Sequence, residues 1–145
     1  MQYIEAPEVY NGDKPSLFLA GGITGCPDWQ KEMVAKLKDL PLVIFNPRRS
    51  YFPQYGSTER EQIVWEHTYL RKATAISFWF PEETLCPIAL YELGAWSMTD
   101  KKIFLGVHPN YQKDQNIKVQ TALVRPDIDL VQTLEELYRC IRSWI

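Results

Sequence analysis

The chain has 145 residues, of which 46% are hydrophobic and 23% are charged, and its formal net charge is −2. These values are typical of one globular domain, residues 1–145, with enough apolar side chains to form a buried core. The weak negative charge excludes a basic nucleic-acid-binding surface, and no apolar run reaches the length of about 18 residues that a membrane span needs.

The cysteines and histidines bear on compartment and metal binding. Cys26, Cys86 and Cys140 are widely spaced and odd in number, which favours a reducing compartment over a disulfide framework. The first residues lack both the basic start and the apolar run of a signal peptide, so we expect a cytoplasmic protein. His67 and His108 are far apart and no Cys/His cluster has metal-ligand spacing, so we expect no metal ion.

Short apolar runs predict the strands, in chain order, at residues 16–20, 42–45, 74–80 and 103–107. The third run is almost continuously hydrophobic, which predicts burial on both faces. A fifth strand is expected in either "VQTALV" or "DIDLV", and the polar stretch 108–118 before them is predicted to be a long loop.

Helix signals lie between the strands. Asp28 is suited to cap a first helix, whose apolar stripe consists of Trp29, Met33, Leu37 and Leu40. Thr58 and Glu61 have capping-box spacing for a second helix that runs to about Lys72, and Pro87 suits the first turn of a third. A C-terminal helix is predicted from Leu134, Leu137, Tyr138 and Ile141.

Strands that alternate with amphipathic helices predict a flavodoxin-like or Rossmann-like α/β fold, a three-layer sandwich with a five-stranded, mostly parallel sheet. In such sheets, ligands bind beyond the carboxyl ends of the strands, where the strand order reverses. For a flavodoxin-like order, this crevice lies between the first and third predicted strands. The loops at that point are "GGITG" and "PEETLCP".

Glu92 is the most informative residue. It lies in "LYELGAWSM", where its neighbours one helical turn away are apolar, although buried and unpaired glutamates are rare. One explanation is a structural ion pair with Arg48, Arg49 or a lysine. The other is an ionised carboxylate that faces the crevice as a nucleophile or base.

Other candidates have two interpretations each. The "GGITG" loop matches neither a P-loop nor GxGxxG, and is either a tight turn or a point where the backbone approaches a ligand. Glu66 lies beside an apolar helix face and is either a solvated residue at its edge or part of a site. Asn46 and the arginines after it end the second strand, and an arginine there is either an ordinary surface residue or a group that binds an oxyanion or a carboxylate. Trp79 either packs in the core or provides a surface for a flat ligand.

The motifs "LFLAGGITG", "FNPRR", "QIVWEHTYL", "AISFWF" and "PIALYELGAWS" together resemble the nucleoside 2-deoxyribosyltransferase family, in particular its short nucleoside 2-deoxyribosyltransferase-like branch. The likeness covers roughly residues 16–107, and its most specific part is E-L-G after the third predicted strand. It implies a flavodoxin-like fold and cleavage of the N-glycosidic bond of a nucleoside or nucleotide, with no metal or organic cofactor.

The resemblance also implies roles for particular residues. Glu92 would attack the anomeric carbon and form a glycosyl-enzyme intermediate, as carboxylates do in retaining glycosidases. Gly21, Gly22 and Ile23 would lie against the sugar. Asn116 would reach the site of a neighbouring subunit, which implies a homodimer or a higher homo-oligomer.

The chain departs from the family pattern at two positions near the base. Family aspartates are replaced by Ala75 and Cys86, so base recognition must differ, and Glu66, Glu82 and Glu83 are the available acids. The leading interpretation is transfer of a deoxyribosyl group between bases. The alternatives are hydrolysis of a nucleoside or its 5′-monophosphate, and nucleotide binding without catalysis.

A phosphorylated substrate would need phosphate donors. The backbone N–H groups of "GGITG" and one of Arg48 or Arg49 are the candidates. Because the glycine loop brings no lysine, the sequence favours the unphosphorylated nucleoside.

Overall fold

The computed structural model describes residues 1–51 and 58–145, in which one parallel sheet lies between two layers of helices. Its strands are β1 (Gln2–Glu5), β2 (Ser16–Gly21), β3 (Val43–Asn46), β4 (Ala75–Phe80), β5 (Lys102–Val107) and β6 (Leu130–Val131). Its helices are α1 (Trp29–Leu37), α2 (Glu59–Lys72), α3 (Pro87–Ser97), α4 (Asp114–Val124) and α5 (Leu134–Trp144).

The sheet has the order β1-β3-β2-β4-β5-β6, and every neighbouring pair is parallel. Without β1, this is the strand order of a flavodoxin-like sheet, so the predicted fold class is confirmed. The predicted count of five strands is corrected to six. The edge strand β1 gives no apolar run, because only Ile4 of its four residues is buried.

The region after β5 differs from the prediction. The predicted polar loop 108–118 ends in the first turns of α4, and "VQTALV" is the second half of that helix. Only Ile117 and Thr121 of α4 are buried, so its apolar pattern is too sparse to indicate a helix. The last strand, β6, comes instead from "DIDLV".

Each face of the sheet has its own core. Helices α2, α3 and α4 cover one face with side chains such as Trp65, Leu93 and Ile117, while α1 and α5 cover the other. All six residues of β4 are buried, as its sequence predicts. Within the described ranges, no helix has both the length and the apolar content to cross a bilayer.

The helix starts follow the sequence signals. The Asp28 carboxylate accepts a hydrogen bond from the Lys31 N–H, and the Thr58 hydroxyl accepts one from the Glu61 N–H. Pro87 is the first residue of α3. Strands β2 and β4 are neighbours, but α1 leads from β2 to one side of the sheet and α3 leads from β4 to the other. The chain therefore leaves the carboxyl ends of the two strands in opposite directions, and a crevice lies between the two connections.

Candidate active site

A cavity of about 510 Å³ occupies this crevice. Its walls are the loop after β2, the turn after β3, helix α2 and the first turns of α3. This volume is within the range of sites that bind small molecules. Of the predicted site residues, the structure brings together Gly21, Gly22, Ile23, Glu66 and Glu92.

The glycine-rich loop is held rigidly. Gly21 has φ +141°, a conformation that favours glycine, and a Cβ atom there would collide with the Trp79 carbonyl oxygen. The Gly22 carbonyl accepts hydrogen bonds from the Trp29 indole N–H (2.9 Å) and the Gln30 amide (3.0 Å). The Gly22 N–H donates to the Trp79 carbonyl. The loop can therefore lie against a ligand, but the Gly22 N–H is already used within the protein.

Glu92 projects from the second turn of α3 into the cavity, while Ala89 and Leu93 of the same helix pack on the sheet. Burial in apolar surroundings, reinforced by the charge of Glu66, raises the pKa of Glu92 to about 8. Among the described residues, no cation pairs with this carboxylate; Arg48 and Arg49 lie next to Asp28 and Glu61 instead. The geometry therefore favours a carboxylate available to a ligand over a structural ion pair.

Glu66 faces the same space from α2. Burial raises its pKa, although a hydrogen bond from Gln62 and the charge of Arg49 act in the opposite direction. The buried Arg49 donates from Nε to the Gln62 side-chain oxygen (2.7 Å), and the Gln62 amide donates to the Pro47 carbonyl (2.8 Å). Two carboxyl groups and a fixed amide thus line the same cavity.

Three of the predicted binding residues lie behind the cavity wall. Asn46 donates to the Tyr3 hydroxyl and accepts from the Arg48 N–H. The Arg48 guanidinium donates to the carbonyls of Cys26 and Pro27, so it supports the glycine-rich loop from behind. Trp79 packs in the second core, over Gly106.

Asn116 lies on a different surface. It belongs to the first turn of α4, where it lines a shallow hollow on the outside of the helix and accepts a hydrogen bond from Gln120. Of the alternative acids, Glu82 lies beside His108 and Asn110, and neither Glu82 nor Glu83 lines the cavity.

The two departures from the family pattern have different positions. Cys86 lines the cavity, where burial raises the pKa of its thiol to about 12. Ala75 lies at the amino end of β4, which is the end away from the cavity. Only the change at Cys86 therefore alters the cavity wall.

Sequence reasoning missed several residues that also line the cavity, among them Gln62, Ile63 and Ile88. Gln62 lies four residues before Glu66, and this spacing on one helix was the available signal. Within the described part of the chain, the lining has aliphatic rather than aromatic side chains for a flat ligand. The aromatic residues Phe52 and Tyr55 lie outside the described residues.

No three His, Cys, Asp or Glu side chains gather as a metal site would require in residues 1–51 and 58–145. No curated protein matches the chain. Residues 14–111, more than half of the chain, match the family model described as nucleoside 2-deoxyribosyltransferase like. This segment contains β2 to β5 and every residue that lines the cavity. The chain therefore belongs to the nucleoside 2-deoxyribosyltransferase-like family.

Proposed function

We propose that the protein cleaves the N-glycosidic bond of deoxynucleosides and transfers the deoxyribosyl group from one base to another. The observation that carries this proposal is the position of Glu92, a carboxylate without a cationic partner among the described residues, on the wall of the cavity. The family supports a nucleoside-related glycosyl transfer, and the cavity has room for such a substrate.

The chemistry requires one nucleophile and two displacements. As the C1′–N bond breaks, its electron pair leaves with the base, and a Glu92 oxygen forms a bond to C1′ from the opposite face. A nitrogen of a second base then attacks C1′, and the ester bond breaks to return the electron pair to Glu92. If water attacks in this second step, the result is hydrolysis.

The surroundings of Glu92 suit this role. An ionised carboxylate in an apolar cavity has few competing hydrogen bonds and stabilises the positive charge that develops at C1′. Because the pKa of Glu92 is raised to about 8, its surroundings favour the neutral form at neutral pH. We therefore expect turnover to increase as the pH rises towards 8.

The charges around the cavity support an unphosphorylated substrate. Arg49 is the cation in the described lining, and it is buried with Gln62 as its acceptor. The Arg48 guanidinium donates to the carbonyls of Cys26 and Pro27, and the Gly22 N–H donates to the Trp79 carbonyl. Within the described ranges these particular donors are used inside the protein, so we expect deoxynucleosides to be preferred over their monophosphates.

We also propose that the protein forms a homodimer or higher homo-oligomer through the outer face of α3. Ile88, Tyr91 and Met98 are 65%, 79% and 76% exposed, and the face continues through Gly94 and Ala95 without a charged side chain. An uncharged apolar face can pair with a second copy of itself without like-charge repulsion. Because Ile88 also lines the cavity, a second copy seated here would cover the cavity opening.

The function is tested by incubation of the protein with a panel of deoxynucleosides, with and without a free acceptor base. We expect a new deoxynucleoside only when the acceptor is present. Release of free base at equal rates in both conditions would identify a hydrolase. Binding without any product would identify a non-catalytic protein. The matched control for a Glu92→Gln variant is Glu83→Gln, which changes an exposed carboxylate outside the cavity.

A further inference from the structure

We propose that Tyr111 is a positioning residue for the reaction, because its hydroxyl holds the turn before α3 in the conformation that directs Glu92 into the cavity. This inference rests on the proposed function, since it concerns the placement of the proposed nucleophile. Tyr111 lies between β5 and α4 and is not part of the cavity lining. It therefore acts through the turn and not on a ligand.

The start of α3 lacks a support that other helices of the fold have. Helices α1 and α2 begin with the capping side chains of Asp28 and Thr58. Helix α3, all of whose residues the structure describes, has Cys86 at its N-cap position and no side-chain cap. The Cys86 thiol is directed to the Thr84 carbonyl instead. The direction in which the chain enters α3 therefore depends on contacts from outside the helix.

The backbone of Cys86 is strained. Its φ is +53° and its ψ is +56°, and within residues 1–51 and 58–145 it is the one residue other than glycine with a positive φ. This left-handed conformation is unfavourable for a residue with a Cβ atom and persists only where its surroundings hold it. Because Cys86 also lines the cavity, the strain indicates that the conformation of this turn serves the site.

Tyr111 supplies a contact that holds the turn. Its hydroxyl donates to the carbonyl of Leu85 (2.6 Å), the residue directly before Cys86. The buried ring packs against Phe80 at the end of β4, with 5.3 Å between the ring centroids, and the Tyr111 N–H donates to the His108 carbonyl. Burial raises the pKa of Tyr111 to about 12, so the hydroxyl keeps its proton at neutral pH. The hydroxyl thus ties the turn to the edge of the sheet.

The conformation of this turn affects two walls of the cavity. The Cys86 sulfur lies against the glycine-rich loop, since a Cβ atom built on Gly22 would come within 3.0 Å of it. The Cys86 carbonyl accepts the Leu90 N–H in the first turn of α3, and Glu92 follows two residues later. A rotation at Cys86 would therefore shift the Glu92 carboxylate relative to the loop. A shift of about 1 Å is enough to lower the rate of attack at C1′ strongly.

The test removes the hydroxyl alone. For Tyr111→Phe we expect kcat of deoxyribosyl transfer to fall by about 10- to 100-fold, because Glu92 is displaced, while KM stays within about threefold of wild type. The matched control is Tyr69→Phe, which removes a buried tyrosine hydroxyl that accepts the Tyr10 N–H (2.7 Å) outside the cavity lining. Both variants should melt at a lower temperature than wild type, but only Tyr111→Phe should lose kcat.

A second substitution tests whether the hydroxyl acts through the strained turn. Cys86→Gly lets the chain adopt a φ of +53° without strain, so the turn depends less on its contact with Tyr111. When Tyr111→Phe is added to Cys86→Gly, we therefore expect a further loss of kcat of less than about threefold. Amide hydrogen exchange gives a readout that is independent of catalysis. The Leu90 N–H should exchange faster in Tyr111→Phe than in Tyr69→Phe.

The proposal is overturned by an unchanged kcat in Tyr111→Phe, by an equal loss in Tyr69→Phe, or by the same loss with and without Cys86→Gly. Failure of the proposed function has a different signature, because wild type would then form no product from any deoxynucleoside and acceptor base. In that case the exchange of the Leu90 N–H still decides whether Tyr111 holds the turn, and equal exchange rates in the two tyrosine variants would overturn that role as well.

Discussion

Glu92 has a carboxyl group in surroundings that favour its neutral form. In the unfolded chain this group ionises at its ordinary pKa near 4, whereas in the folded protein its pKa is raised to about 8. As the pH rises between these values, the unfolded state releases the proton first and is favoured. Ionisation of Glu92 therefore lowers the free energy of unfolding progressively from about pH 4 to about pH 8.

This linkage gives a stability prediction for Glu92→Gln, which keeps the shape but cannot ionise. We expect the melting temperature of the variant minus that of wild type to be smallest near pH 4.5 and to increase up to about pH 8. Carboxylates other than Glu66, whose charge acts on Glu92, are common to both proteins and cancel in the difference. A difference that stays constant over this range would show that Glu92 ionises normally in the folded protein.

The same variant gives a prediction for catalysis. Removal of a covalent nucleophile lowers turnover by several orders of magnitude, so we expect such a loss in deoxyribosyl transfer by Glu92→Gln without a loss of stability at pH 7. Steady-state kinetics and thermal melting on one preparation measure both effects. A variant that is destabilised but fully active would assign Glu92 a structural role.

Single residues differ in how far the sequence could predict them. Glu92 and Glu66 were found because a carboxylate on an apolar helix face conflicts with the cost of its burial. Arg48 and Arg49 follow one another after β3, yet Arg48 supports the loop and Arg49 reaches the cavity. The conformation of the turn after β3 decides which of the two arginines points towards a ligand. Composition and spacing contain no information on that conformation.

At the scale of elements, the loop after β2 and helix α1 together support one side of the cavity. Arg48 connects them, since its guanidinium bonds two loop carbonyls and the side chain of Gln30 in α1. A shift of this support would move the glycine-rich loop without any change in the residues that line the cavity.

Arg48→Met tests this support. It removes three hydrogen bonds from a half-buried group, so we expect a loss of about 1–3 kcal/mol in the free energy of unfolding and a melting temperature lower by several degrees. KM for the deoxynucleoside should rise more than kcat falls, because the loop binds rather than reacts. Arg139→Met, which changes an arginine with a 72% exposed side chain on α5, is the control. Unchanged KM with lowered stability would limit Arg48 to a structural role.

The elements that the sequence predicted are those with a strong apolar pattern. Strands β2 to β5 are almost fully buried and appear as continuous hydrophobic runs. In contrast, β1 and α4 each bury few residues, because β1 is an edge strand and α4 covers the sheet with only part of one face. Their formation depends on pairing and packing with distant segments, which a local pattern does not contain.

For the whole molecule, the fold determines where the crevice lies. The βαβ alternation predicted the flavodoxin-like order, and this order placed the crevice between β2 and β4 before any side chain was considered. The proposed assembly depends instead on the exposed face of α3. That face can be identified only when the packing of the helix on the sheet is known.

The proposed assembly can be tested at the centre of that face. Tyr91→Lys places a charge from each copy at a self-paired interface, so we expect conversion of the oligomer to a monomer at micromolar concentration, measured by light scattering. The control is Val9→Lys, which adds the same charge at a 74% exposed position away from α3. A wild-type protein that is itself monomeric would refute the assembly and leave Asn116 without a neighbouring site to reach.

The parallel pairing of β2 with β4 has a consequence for folding. The ladder joins residues far apart in the chain, for example Leu17 with Ala75, and its closure costs more chain entropy than any local contact. The glycine-rich loop and Glu92 belong to segments that meet only when this ladder has formed. A nascent chain that has folded through β3 therefore holds one wall of the cavity and neither Glu66 nor Glu92, and the proposed activity requires that α3 has joined the sheet.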